Sequence, residues 1–146
     1  MLETLRREVP PAAFSLGFLG AVPFVALAVM AFLAEPIGGW ALAALLAYGA
    51  IILSFMGGVH WGWAMAADEP SFTRLGLSVV PSLLGWGGFL LAGSVGFVVI
   101  ALGFAALLWL DLQAVAAGRA AAWYPQLRWP LTLIVVASLA VGALAT

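Results

Sequence analysis

Ser54-Phe55-Met56-Gly57-Gly58-Val59-His60-Trp61-Gly62-Trp63 lies inside an apolar run that extends from Trp40 to about Ala66. A hydrocarbon core of about 30 Å is crossed by roughly 20 apolar residues in a helix, so the run predicts a membrane span. His60 is the only histidine in the chain. Ionisable side chains at membrane depth are rare, turn toward the bundle interior, and mark a functional site by default.

Composition carries the membrane reading to the whole chain. Of 146 residues, 66% are hydrophobic and 8% charged, against about a quarter charged in an ordinary soluble domain. Too few polar side chains exist to cover a water-facing surface, and an integral membrane protein of one domain, residues 1–146, follows. The net charge is −1 and the charges fall between the apolar runs, which gives nucleic-acid binding no support. No cysteine is present; disulfides, thiolate metal sites and thiol catalysis are excluded together.

The first apolar run covers about 23 residues from Ala12 to Ala34, beyond the roughly 7–15 of a signal-peptide core. It reads as a retained span. Polar residues 1–11 read as a short interfacial helix ahead of Pro10. Glu35-Pro36-Ile37-Gly38-Gly39 then forms a turn, the second span covers 40–66, and Asp68-Glu69 is a solvated loop pair. The stretch from 75 to 110 is too long for one crossing, so a hairpin is expected at Ala92-Gly93-Ser94. It separates span three (74–91, with Thr73 as N-cap) from span four (95–114). A loop over 115–128 leads into span five at 129–145. The fold class is thus all-α with five transmembrane helices.

Arginine placement orients it. Arg6 and Arg7, Arg74, and Arg119 and Arg128 all fall on one side of a five-span chain. Arginine bias in short loops marks the cytoplasmic face, so the N-terminus is expected inside and the C-terminus outside.

With direction set, depths can be compared. His60 stands about 9 Å from the cytoplasmic end of span two at 1.5 Å per residue. Ser15, Ser78, Ser82, Asp111 and Thr132 fall in the same half of their spans. A polar pocket open to the cytoplasm is expected, with His60 and Asp111 facing each other and Arg128 close enough to span five to snorkel or to pair with Asp111. Such a site can relay a proton or hold the polar head of an amphipathic ligand. The alternative is that Asp111 only ends span four at the interface and His60 bonds a backbone carbonyl.

The small residues have a packing explanation. Ala50, Ser54, Gly58 and Gly62 recur every four residues, a spacing that lets a neighbouring helix approach closely. They predict a central second helix with His60 pointing the other way. Trp40, Trp63, Trp123 and Trp129 fit an interfacial aromatic belt. Trp61, Trp86 and Trp109 lie deeper, where they line an apolar ligand pocket or face lipid. One histidine without cysteine provides no axial pair for haem and no metal-ligand set. Serine–histidine–aspartate order, paired carboxylates and zinc spacing are missing, so no catalytic residue is assigned and an enzyme is the less favoured class.

Tyr48 to Gly62, together with Gly20-Ala21-Val22-Pro23-Phe24, Ser78-Val79-Val80-Pro81-Ser82, Asp111 and Trp123-Tyr124-Pro125-Gln126-Leu127-Arg128, resembles the signature of a family of small multi-pass membrane proteins. It is the family that includes mitochondrial transmembrane protein 69 and many bacterial members. The resemblance implies a helical bundle in an inner membrane, here a bacterial one. It adds Tyr124 to the candidate positions and supplies no activity.

The candidate ligand-binding residues are therefore His60, Asp111, Arg128, Ser78, Ser82, Trp61 and Tyr124. The expected function is to bind or move a small amphipathic molecule (a quinone, lipid or tetrapyrrole) or a proton through the polar pocket. The alternative is an accessory or assembly subunit of a larger membrane complex, or a homo-oligomer, docked through small-residue faces. No cofactor follows from the residues.

Overall fold

The computed structural model describes residues 9–68 and 70–146. The expected interfacial helix and Arg6 and Arg7 lie outside the described residues, as does Glu69 of the loop pair. The described chain forms five helices: α1 (Pro11–Met30), α2 (Ile37–Met65), α3 (Phe72–Leu91), α4 (Gly93–Ala116) and α5 (Tyr124–Ala145). Each is long and apolar enough to cross a membrane, and no strand occurs among the described residues. Backbone groups in lipid must be satisfied within the segment, which leaves helices as the form these runs can take.

Several boundaries differ from the sequence reading: α1 ends at Met30, not 34, and α2 starts at Ile37, not 40, taking Gly38 and Gly39 of the expected turn into the helix. Helix α5 starts at Tyr124, not 129, so the loop expected over 115–128 contracts to 117–123. Pro125 occupies the first turn, where its missing N–H costs nothing. Hydropathy had stopped the span at Arg128 because of its charge, which is matched inside the bundle. At α3 the flanking residue is Ser71, not Thr73, and it makes no side-chain cap.

Helix α2 is central and packs against all four others. The core is a stack of Phe24, Leu45, Leu53, Phe97, Ile100, Phe104 and Leu139. Outward faces carry large apolar side chains such as Leu19, Phe55, Trp86, Leu102 and Leu133, the surface that the bilayer covers. Pro23 removes one helical N–H from α1, and Tyr48 of α2 donates to the Gly20 carbonyl in the preceding turn at 2.9 Å.

The hairpin falls where expected and is tighter than expected. Ala92 alone separates α3 from α4, at φ 53° and ψ −172°, a region that strains any residue with a Cβ. The legs meet at glycines: a Cβ on Gly96 would collide with the Gly88 carbonyl oxygen.

Candidate functional site

The start of α1, the end of α2, the start of α3, the end of α4 and the start of α5 share one end of the bundle. All described arginines belong to that end. At its centre is Asp111, which is 1% exposed. Its Oδ1 lies 2.7 Å from Nε2 of His60 on α2. Its Oδ2 accepts from Nε of Arg128 on α5 at 2.5 Å. Three helices are thus joined through one carboxylate.

Local sequence explains how the groups meet. Arg128 sits one turn into α5 because the helix begins at Tyr124; in a loop its side chain would reach water instead. Burying an isolated charge is costly, and Arg128 is only 5% exposed, so the carboxylate is what makes its position tenable. Next to His60, Gly57 faces α3 so closely that a Cβ would stand 2.7 Å from the Ser78 carbonyl and 3.1 Å from the Pro81 ring. That close approach brings α3, and Ser78 with it, beside His60.

A cavity of about 110 Å³ opens beside His60, lined also by Arg74, Ser78, Gln113 and Arg119, with Ala64, Leu77 and Leu110 as an apolar wall. A buried water occupies about 30 Å³ of liquid volume, so the vestibule holds a few waters or one small head group. Pro81 cannot donate to the carbonyl four residues back, which is that of Leu77, a lining residue. The Nε of Arg119 is buried without a hydrogen-bond partner. Donors outnumber acceptors around this space.

The family model described as "Protein of unknown function (DUF3429)" matches residues 9–144. The chain belongs to the DUF3429 family. It is also 34% identical over 143 residues to Transmembrane protein 69 of Xenopus tropicalis, covering 94% of this chain and 55% of that protein. The chain therefore spans about half the length of that relative. No solved structure matches.

Within this DUF3429 chain, the structure brings together His60, Asp111 and Arg128, with Ser78 beside them. Tyr124 is close by: its hydroxyl is buried without a partner, and its ring stands edge-on to Trp63 at 5.5 Å between centroids. Ser78 itself turns back to the Leu75 carbonyl at 2.6 Å. Two predicted positions are elsewhere. Ser82 is a turn farther along α3 and shares a 2.8 Å hydrogen bond with Ser54. Trp61 is 42% exposed and donates to the Met65 sulfur at 3.0 Å.

Trp63, assigned to the interfacial belt, is the tryptophan of the site, its ring 4.9 Å from His60 in an edge-to-face arrangement. Residues three apart share a helix face and adjacent ones do not, so the spacing from His60 already favoured Trp63 over Trp61. Arg74, Gln113 and Arg119 were missed as lining residues; the loop positions of the arginines gave their side of the membrane but not their convergence. The small-residue face is corrected as well. Ala50 and Ser54 do pack on α3 at Gly85 and Ser82, but Gly58 and Gly62 are exposed, with nothing within 4 Å of an added Cβ. Ser15 is also exposed. Among the described residues no cluster fit to hold a metal ion occurs.

Proposed function

We propose that the vestibule at His60 binds the polar, acceptor-rich head of a small amphipathic molecule, and that the His60–Asp111 pair hands protons to and from it. The observation that carries this reading is the convergence of His60, Arg74, Arg119, Ser78 and Gln113 on one cavity, backed by a buried carboxylate already bonded to His60. Donor groups from three helices suit a carboxylate or phosphate-like head, because hydrogen bonds in which one partner is charged are about twice as strong as neutral ones. The wall of Ala64, Leu77 and Leu110 suits the start of an apolar tail. Imidazole changes charge nearest to neutral pH of all side chains, which fits it to pass a proton.

In this reading the arginine end faces the cytoplasm of a bacterial inner membrane, as arginine bias directs. Laurate is a suitable probe. Purified protein in lipid nanodiscs should bind it saturably. His60→Ala, and separately the paired change Arg74→Gln with Arg119→Gln, should each weaken binding about tenfold, the equivalent of 1.4 kcal/mol. Equal binding by all three proteins would remove the proposal.

A second reading has its own support. Gly58 and Gly62 leave a shallow, unpartnered strip on α2, the kind of surface on which another transmembrane helix packs. An accessory or assembly subunit would use it to dock. Purification in mild detergent that always returns the isolated chain would speak against that role.

A further inference from the structure

We propose that a second, separate pocket, between α1, α2, α4 and α5, is a lipid-side binding site for a neutral lipophilic carbonyl compound, with Arg128 donating to its carbonyl oxygen. The cavity measures about 290 Å³ and, among the described residues, Arg128 is its one charged lining residue; Gly20, Phe24, Met56, Phe104 and Val135 supply apolar walls. Only the Nε of Arg128 is engaged by Asp111. Its Nη2 is buried with no hydrogen-bond partner, and a buried donor left without an acceptor is costly. An acceptor from a bound molecule would remove that cost.

The shape and charge narrow the class of molecule. From Arg128 the pocket passes Leu131 and Val135 along α5, roughly 10 Å at 1.5 Å per residue, which suits a head at Arg128 and a tail running into the bilayer. A Cβ on Gly20 would meet nothing within 4 Å, so α1 leaves the space open. Asp111 already balances the charge of Arg128. An incoming anion would be a further buried charge without a partner, whereas a carbonyl adds none. Quinones and ester lipids share this chemistry: an acceptor oxygen on an apolar body. This site does not rest on the vestibule, whose lining residues are a different set.

The test uses the full chain in nanodiscs, with decylubiquinone as the soluble probe and mass spectrometry of co-purified lipid as the second arm. Gly20→Leu places a side chain on the pocket wall at a position where an added Cβ meets nothing within 4 Å. Saturable decylubiquinone binding that weakens at least tenfold in Gly20→Leu supports the site with a quinone. A co-purified ester lipid that is present in the parent protein and lost in Gly20→Leu supports it with a lipid. As a check on Arg128, the paired change Asp111→Leu with Arg128→Met removes both charges together and should lose the same binding. Laurate binding should survive Gly20→Leu, and decylubiquinone binding should survive the Arg74→Gln and Arg119→Gln pair. Absence of saturable binding in both arms, or equal occupancy in parent and Gly20→Leu, would overturn the proposal.

Discussion

Asp111 is the residue on which the polar end of the bundle depends, because each of its oxygens holds a different helix. Removing it leaves Arg128 buried without a counter-charge. The two halves of such a pair are unequal to the whole: breaking one partner costs about 3–5 kcal/mol, while replacing both by apolar residues of similar volume is often near neutral. Asp111→Ala should therefore destabilise strongly, and Asp111→Leu with Arg128→Met much less than the sum of the single changes. Reversible unfolding in mixed micelles, run as a double-mutant cycle, measures the coupling. Additive single and double changes would show that the two residues act apart. His60, Asp111 and Arg128 were legible in the sequence because charge at membrane depth is rare enough to stand out. Trp61 and Ser82 mislead because depth along a helix says nothing of direction around it. At 100° per residue, neighbours such as Trp61 and Trp63 look to different sides, and Trp61 faces outward while Trp63 packs on His60.

At the scale of the helix, two adjacent glycines of α2 have opposite roles. Gly57 is buried against the backbone of Ser78 and the Pro81 ring, while Gly58 faces open space. Gly57→Leu should destabilise by more than about 1–3 kcal/mol, the usual cost of overpacking, since backbone cannot yield as a side chain does. Gly58→Leu should leave the isolated protein as stable as before. The melting temperatures of the two variants decide the matter; similar losses in both would contradict the packing described. At the hairpin, Ala92→Gly should raise stability by about 1–3 kcal/mol through relief of its positive φ, read from the same melts. Helix existence and the hairpin's place could be read from hydropathy. Which glycine packed could not, because a four-residue repeat of small residues marks a face without saying what covers it. The start of α5 was missed for a related reason: hydropathy penalises Arg128 without knowing that Asp111 waits opposite.

For the molecule as a whole, five up-and-down crossings gather the described arginines at one end, and the orientation that follows is open to a clean experiment. The chain has no cysteine, so single cysteines report without background. A membrane-impermeant thiol reagent applied to intact cells should label Ala34→Cys and spare Ala121→Cys; the reverse would invert the topology. The same economy offers the most direct test of the central claim, that His60 is held by Asp111 at a vestibule that binds a polar head. With one histidine in the chain, 15N-imidazole NMR of untagged, histidine-labelled protein in bilayers sees His60 alone. Titrated with laurate, the imidazole resonances should move saturably in the parent protein and need about tenfold more laurate in the Arg74→Gln and Arg119→Gln pair. Resonances that ignore laurate, or that move alike in both proteins, would contradict it.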